Sequence, residues 1–183
     1  IVAQPNQFPY QVGLRLNLID PEYGAWCGGS LISDQVVLTA AHCLQNSTGG
    51  IVYLGAHDRK AVKEDGRKLV NVKKSNYIVH EKYDNVLQTD DIALIVLPEK
   101  VKLTNKISLI NLPRASKFDV DGRVAIVSGW GRTGDAEYIV AFSQSKNLNN
   151  SPRKQFRIVG GEVAKLHQFP YIVGIRLIRQ KNN

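Results

Sequence analysis

The feature that most constrains the fold is a series of short apolar runs separated by glycine, asparagine or aspartate. Most runs alternate apolar and polar residues, and no long segment keeps the period of an amphipathic helix. Many short strands at a spacing of about 8–15 residues are typical of an antiparallel barrel or sandwich. The sequence therefore predicts an all-β fold. The predicted strands are Gln11–Leu16, Trp26–Ile32, Val36–Thr39, Ile51–Leu54, Lys68–His80, Ile92–Leu97 and Arg123–Ser128.

Length and composition exclude several classes of protein. At 183 residues, 43% of them hydrophobic, the chain is long enough to form one domain with a buried core. The composition excludes wholesale disorder and a collagen-like fibre. No run of about 18 apolar residues occurs, so we predict no transmembrane helix and no membrane partner. The chain opens with Ile1-Val2 rather than methionine, so we expect a processed or fragmentary chain.

Most of the net charge of +8 lies near the C-terminus. Residues 146–183 contain eight Lys and Arg residues and a single acidic residue, Glu162. A basic segment of this kind can bind polyanions. No aromatic or glycine-rich nucleic-acid module accompanies it. We therefore interpret it as a solvated, protease-sensitive segment and predict no nucleic-acid partner.

A ten-residue segment occurs twice in the chain. Gln7–Leu16 returns as Gln168–Leu177 with eight identical positions, and Ile1-Val2 returns as Ile158-Val159. The separation of about 160 residues is the size of a domain and is too long for a solenoid repeat. We therefore expect residues 158–183 to be the N-terminal fragment of a second copy of the same unit.

Candidate catalytic residues lie next to two of the predicted strands. The string Thr-Ala-Ala-His-Cys places His42 beside Cys43 after an apolar strand, and Cys27 lies 16 positions before Cys43. Asp90 and Asp91 directly precede another apolar strand. Histidine suits proton transfer because its ordinary pKa lies near neutrality, and a buried carboxylate can orient its ring.

Together with Ser128-Gly-Trp-Gly-Arg-Thr133, these segments resemble the trypsin/chymotrypsin family of serine endopeptidases. The resemblance covers residues 1 to about 136 and implies extracellular proteolysis of polypeptide substrates. It implies a trypsin-like, six-stranded antiparallel β-barrel followed by only a fragment of a second barrel and a C-terminal tail. Protease inhibitors are the other class of partner that the resemblance implies.

The resemblance also assigns roles to individual residues. His42 matches the general base, and Asp91 matches the aspartate that orients it, with Asp90 as the neighbouring alternative. Cys27 and Cys43 match a family disulfide, and two free thiols are the alternative. A disulfide favours an oxidising compartment and therefore a secreted protein.

The family's nucleophilic serine is missing from this sequence. That serine lies in Gly-Asp-Ser-Gly-Gly, and no such string occurs here. Ser30 and Ser128 match structural strand positions of the family instead. We therefore predict that the chain is inactive by itself, since loss of the serine alone costs about a million-fold in turnover in a comparable enzyme. The alternative is a non-catalytic homologue that acts as a binding or regulatory module.

We expect no cofactor and no metal ion. Cys27 and Cys43 lie in no plausible tetrahedral spacing with the histidines. The family's calcium loop is weak here, because Ala56 stands where an acidic ligand is usual. The remaining histidines match no catalytic position, and we predict structural or surface roles for them. These are His57, His80 and His167.

The resemblance and the repeat divide the chain into three parts. Residues 1–136 form the predicted protease unit, residues 137–157 a linker or activation peptide, and residues 158–183 the fragment of a second unit. The linker is polar and ends at Arg157-Ile158, which resembles an activation cleavage site. Ile1-Val2 is similar to the N-terminus that such a cleavage exposes.

Two sequence features stand apart from the catalytic motifs. The repeated strand Tyr171–Ile178 is so similar to Tyr10–Leu16 that it could replace that strand in another chain, which predicts a domain-swapped dimer. Asn46-Ser47-Thr48 and Asn149-Asn150-Ser151 match the acceptor pattern for N-glycosylation.

Overall fold

The computed structural model describes residues 2–19, 24–112, 124–131, 142–147 and 174–177. Ten strands and very little helix confirm the all-β prediction. The strands are β1 (Gln11–Leu18), β2 (Gly24–Ser33), β3 (Val36–Thr39), β4 (Ser47–Leu54), β5 (Lys68–Lys73), β6 (Tyr77–Val79), β7 (Ala93–Val96), β8 (Val124–Gly129), β9 (Phe142–Asn147) and β10 (Gly174–Leu177). The same ranges also contain one helix, α1 (Ala41–Gln45), and one 3-10 turn (Lys74–Asn76). In the described ranges, no helix is long and apolar enough to cross a membrane.

Seven strands form one antiparallel sheet in the order β5-β4-β1-β2-β3-β7-β6. The two strands at its edges, β5 and β6, follow each other in the chain and are separated only by the turn Lys74–Asn76. The sheet therefore curls until its two edge strands meet at the same stretch of chain. Counted as one broken strand, β5 and β6 make this the predicted six-stranded barrel.

The prediction of one continuous strand over Lys68–His80 is wrong at its centre. The side chain of Asn76 accepts a hydrogen bond from the Lys73 backbone N–H at 2.9 Å and donates one to the Val96 carbonyl at 3.0 Å. The Asn76 side chain thus forms hydrogen bonds with backbone groups that a continuous strand would pair with a neighbouring strand, as asparagine side chains do in turns. The break lets the first half of the segment pair with β4 and the second half with β7.

Alternation along the strands directs apolar side chains into the barrel. In β1, Val12, Leu14 and Leu16 are buried, whereas Arg15 between them is exposed. Burial of each such side chain contributes about 1.5–3 kcal/mol. The core thereby holds together the strands whose ends carry the candidate site. Its other large members include Leu31, Val37, Val52, Leu54, Ile95 and Leu97.

A second, three-stranded sheet in the order β10-β8-β9 starts from the surface of the barrel. The buried Ser128 hydroxyl of β8 donates to the Gln11 side chain of β1 at 2.8 Å. The indole N–H of Trp130 donates to the His57 carbonyl at 2.7 Å, and its ring meets Trp26 edge-on at 5.8 Å. These contacts hold β8 against the barrel, and Ser128 occupies the strand position that the sequence predicted.

Two short strands are described in the C-terminal region. β9 lies within residues 137–157, where we predicted a linker, and pairs antiparallel with β8. Backbone hydrogen bonding to an available strand edge can form a strand from a polar sequence, which composition alone does not predict. β10 corresponds to the repeated strand and pairs with the other edge of β8. Ile1, the predicted cleavage site Arg157-Ile158, His167 and the sequon at Asn149 lie outside the described residues.

Candidate active site

His42 lies on α1, directly after β3. The Thr39 hydroxyl at the end of β3 donates to the Gly28 carbonyl at 2.8 Å, which ties the strand end to β2. Ala41, Cys43 and Leu44 of α1 are buried in the barrel end, whereas His42 is only partly buried. The helix therefore presents the imidazole at the rim of the barrel.

Asp91 lies at the same end of the barrel as His42, just before the strand that pairs with β3. β3 and β7 are antiparallel neighbours, and Thr39 at the end of β3 pairs with Ala93 at the start of β7. Residues just after β3 therefore lie beside residues just before β7. This register brings together two side chains that are 49 positions apart in the sequence.

Both oxygens of the Asp91 carboxylate contact His42. Oδ2 lies 2.7 Å from the imidazole Nδ1, and Oδ1 accepts the His42 backbone N–H at 2.9 Å. The side chains are 22% and 26% exposed, respectively, for His42 and Asp91, so both are partly screened from water. Asp91, and not the exposed Asp90, is therefore the carboxylate paired with His42.

The backbone contact of Asp91 also caps α1. The first N–H groups of any helix lack partners within the helix, and a side chain at the N-cap commonly supplies one. The N-cap here is Ala40, which has no side-chain acceptor. Asp91 provides the missing acceptor from outside the helix, so one carboxylate fixes both the helix end and the ring that the helix carries.

The loop before Asp91 has an unusual backbone. Gln88 and Asp90 both have a φ of 53°, in the left-handed region. The Ile92 N–H donates to the Asp90 carbonyl at 2.8 Å, which closes a three-residue turn with Asp91 at its centre. The only sequence signal for this turn is Asp90, because aspartate tolerates the left-handed conformation better than most residues do.

Asp84 organises the start of the same loop. Its carboxylate accepts the backbone N–H groups of Val86 at 2.8 Å and Leu87 at 2.9 Å. These two hydrogen bonds favour the charged form and lower the pKa of Asp84 below its usual value. The Asp84 N–H in turn donates to the Thr89 carbonyl, so both ends of the loop are fixed.

The predicted disulfide between Cys27 and Cys43 is present and ties β2 to α1. Both cysteines are buried, and neither is free, so the free-thiol alternative is wrong for this structure. The Cys43 sulfur lies 3.5 Å from the His42 Nε2. The disulfide thus lies in contact with the imidazole ring of His42.

One argument from the sequence requires correction. The linear spacing gave Cys27 and Cys43 no plausible tetrahedral arrangement with the histidines, yet the ligand atoms of Cys27, His42 and Cys43 lie within 4.8 Å of one another. The fold, which linear spacing does not capture, brings them together. Because the two sulfurs are bonded to each other, they are not thiolates, which are the sulfur ligands that zinc requires.

The loop after β4, where the sequence suggested a weak calcium site, is held by an arginine. The Arg67 guanidinium donates to the carbonyls of Ala61 at 2.8 Å and Val62 at 2.6 Å, and it lies 3.3 Å from the Glu64 carboxylate. Glu64 also accepts the backbone N–H groups of His57 and Asp58. The positive charge next to these carbonyl and carboxylate oxygens is therefore that of the Arg67 guanidinium.

The other predicted residues lie away from the pair. His57 contacts its neighbours through its backbone, and His80 is exposed, with its Nδ1 3.3 Å from the Lys82 N–H. Ser30 lies in β2 opposite Leu38. Within the described part of the chain, neither Ser30 nor Ser128 forms a hydrogen bond with His42.

Comparison with known proteins gives consistent matches. The Trypsin family model matches residues 2–155, well beyond residue 136. "Chymotrypsin" from Phaedon cochleariae is 40% identical over 131 residues, which cover 70% of this chain and 46% of that protein. "Brachyurin" from Leptuca pugilator is 39% identical over 137 residues, with 74% and 56% covered. The chain therefore spans about half the length of the curated relatives that it matches.

Solved structures agree with the sequence matches. A structure described as "Structure of GrC" superposes with a TM-score of 0.73 at 31% identity, covering 81% of this chain and 63% of that one. A second, described as "HL COLLAGENASE STRUCTURE AT 1.7A RESOLUTION", gives a TM-score of 0.68 at 32% identity, covering 79% and 60%. Both similarities extend over most of the chain and only part of the neighbour.

Proposed function

The chain belongs to the trypsin/chymotrypsin family of serine proteases, and from this premise we propose that it carries the general-base half of a serine endopeptidase centre. The observation that carries the proposal is the contact of 2.7 Å between the His42 Nδ1 and the Asp91 carboxylate. Polypeptides are the substrate class, as the family implies.

In this proposal Asp91 selects the state of the histidine. A carboxylate at Nδ1 favours the tautomer that carries its proton on that nitrogen, which leaves a lone pair on Nε2. Nε2 of His42 then accepts the proton of an attacking serine hydroxyl and later returns it to the leaving amine. Asp91 stabilises the imidazolium that forms between these two transfers, because an opposite charge lies within hydrogen-bond distance.

We propose that these 183 residues do not hydrolyse peptides by themselves. They contain no Gly-Asp-Ser-Gly-Gly, Ser30 lies within β2, and the Ser128 hydroxyl donates to the Gln11 side chain. A serine outside these residues would complete the centre. Incubating the chain with a serine-directed phosphonate probe and mixed peptide substrates tests the point. We expect no stoichiometric label and no turnover above that of His42→Ala; labelling, or turnover that His42→Ala abolishes, would overturn it.

A chimaera tests the positive half of the proposal. The described barrel and β8 would be joined to the second-barrel sequence of a chymotrypsin relative, including its Gly-Asp-Ser-Gly-Gly. We expect the probe to label the serine, and we expect labelling to be lost in His42→Ala and strongly reduced in Asp91→Asn. A chimaera that folds, as judged by its tryptophan fluorescence, yet reacts at the same rate with and without His42 would refute the assigned role.

The second candidate function is a non-catalytic homologue that binds proteases, inhibitors or a surface. If the intact transcript of the natural protein encodes a folded second barrel with a substituted serine, this candidate replaces the first. Sequencing the transcript across codons 130–160 and beyond distinguishes the two.

We also propose that the protein is secreted and processed at Arg157-Ile158. The buried disulfide supports an oxidising compartment. Limited trypsin digestion followed by mass spectrometry should yield first cuts at Arg157 or the nearby Arg153 and Lys154.

A strand-exchanged dimer through the repeated segment remains part of the proposal, although β10 pairs here with β8 of its own chain. Size-exclusion chromatography before and after digestion measures it.

A further inference from the structure

We propose that Asn46 carries an N-linked glycan. Asn46-Ser47-Thr48 has the acceptor pattern, in which a hydroxyl two residues after the asparagine is required. The proposal rests on the proposed secretion, because the transfer takes place in the secretory pathway. The structure adds to this pattern the direction in which each of the three side chains lies.

Both essential residues of the acceptor pattern are exposed. Ser47 is the first residue of β4 and is fully buried, with its hydroxyl donating to the Gly49 carbonyl at 2.9 Å. Asn46 and Thr48 on either side of it are exposed. Asn46 ends α1 with a non-extended backbone, and Thr48 lies in β4, where its exposed hydroxyl donates to the Asn17 carbonyl at 3.3 Å.

The folded protein accommodates a glycan at this position. Asn46 is the C-cap of α1, and it contributes to the fold through its backbone, where its carbonyl accepts the Ile19 N–H at 3.0 Å. Among the described residues, its side-chain amide makes no hydrogen bond that a glycan would break. Within the described ranges, a sugar on this exposed amide would therefore displace no packed group.

The chemistry needs one co-reactant, an oligosaccharide linked to a lipid through a diphosphate. The Asn46 amide nitrogen forms a bond to the anomeric carbon of the first sugar. The bond from that carbon to the diphosphate oxygen breaks, and the diphosphate lipid leaves with the electron pair. The amide nitrogen loses one proton, so atoms and charge balance and no oxidant is involved.

The test expresses the full chain behind a heterologous secretion leader in eukaryotic cells, which separates it from the question of native secretion. Samples from cells and medium are treated with a peptide N-glycosidase in H₂¹⁸O, and the peptide containing position 46 is analysed by mass spectrometry. We expect conversion of Asn46 to ¹⁸O-labelled aspartate. Asn149→Gln is included in every variant so that the second sequon does not contribute.

Two substitutions at the exposed Thr48 provide the matched comparison. Thr48→Ser keeps a hydroxyl and should keep the label, whereas Thr48→Val removes only the hydroxyl and should abolish it. Disulfide-linked wild-type chain with unlabelled Asn46, in cells as well as in medium, would overturn the inference. Equal labelling of Thr48→Val and wild type would overturn it too, because the label would then not depend on the acceptor pattern.

Discussion

Replacing Asp90 by valine should raise the population in which the contact between Asp91 and His42 is open, without unfolding the barrel. Asp90 has a φ of 53°, and aspartate and asparagine adopt this conformation far more readily than a β-branched residue does. Valine should add about 2 kcal/mol of strain at this position. Asp90→Asn removes the same charge and keeps the tolerant backbone, so it is the matched control.

The structure sets the size of the effect. Asp91 makes two hydrogen bonds to His42, at 2.7 and 2.9 Å, and both side chains are partly exposed. Each bond to a charged acceptor in this setting contributes about 1.5 kcal/mol, so about 3 kcal/mol holds the pair closed. Strain of about 2 kcal/mol leaves the pair mostly closed but raises the open population about 30-fold, since about 1.4 kcal/mol is a factor of ten.

Hydrogen exchange of the His42 backbone amide, measured by NMR, reads this population directly, because that N–H donates to Asp91. We expect exchange about 30-fold faster in Asp90→Val and within about 3-fold of wild type in Asp90→Asn. The Leu14 amide in the central strand β1 should change little in either variant. Equal His42 rates in the two variants would refute the reasoning, as would a Leu14 amide accelerated as much as that of His42.

Three further changes test the fold by urea unfolding followed by tryptophan fluorescence. A Cβ at Gly50 would clash with the Arg15 carbonyl and lie 3.0 Å from the Leu16 Cα, so Gly50→Ala should lower the free energy of unfolding by about 2–3 kcal/mol. In the control Gly24→Ala the nearest described backbone atom lies 3.8 Å from the new Cβ, and the free energy of unfolding should change by less than about 0.5 kcal/mol. Equal urea midpoints for the two variants would contradict this reasoning. Replacing both cysteines by alanine should remove about 3 kcal/mol, because the disulfide closes a loop with a sequence separation of 16; a loss below about 1 kcal/mol would count against it. Burial raises the pKa of Tyr77 in the folded protein above that of an unfolded tyrosine. The neutral Tyr77 side chain therefore contributes fully to stability below about pH 10, and this contribution is lost as the pH rises through the pKa of Tyr77 in the folded protein. Tyr77→Phe should therefore flatten the alkaline decline, and parallel profiles would exclude this role.

The residues that sequence reasoning located are those whose signal is local. A histidine beside a cysteine after an apolar run, and two aspartates before another such run, marked the candidates. The family resemblance then indicated Asp91 and the pairing of Cys27 with Cys43. The alternation of apolar residues sufficed for most strands. These patterns follow from burial on one face of a strand, which each short segment records by itself.

What the sequence did not reveal depends on contacts between distant segments. The break at Asn76 requires an acceptor on Val96, and the capping of α1 requires a carboxylate from the residue before β7. β9 pairs with β8, a contact between segments that composition alone does not predict. The proximity of His42 to both sulfurs likewise arises only after β2, β3 and α1 have packed together.

The two contacts of Asp91 have a consequence for how such chains diverge. A relative that has lost its nucleophile no longer needs an oriented imidazole, but α1 still follows an alanine N-cap and still needs an acceptor for its first N–H groups. Selection for folding alone therefore retains the aspartate. The histidine supplies only its backbone N–H to that contact, which every residue except proline can provide. Among inactive descendants, position 42 should consequently drift while position 91 stays fixed, and the histidine is the more informative marker of catalysis.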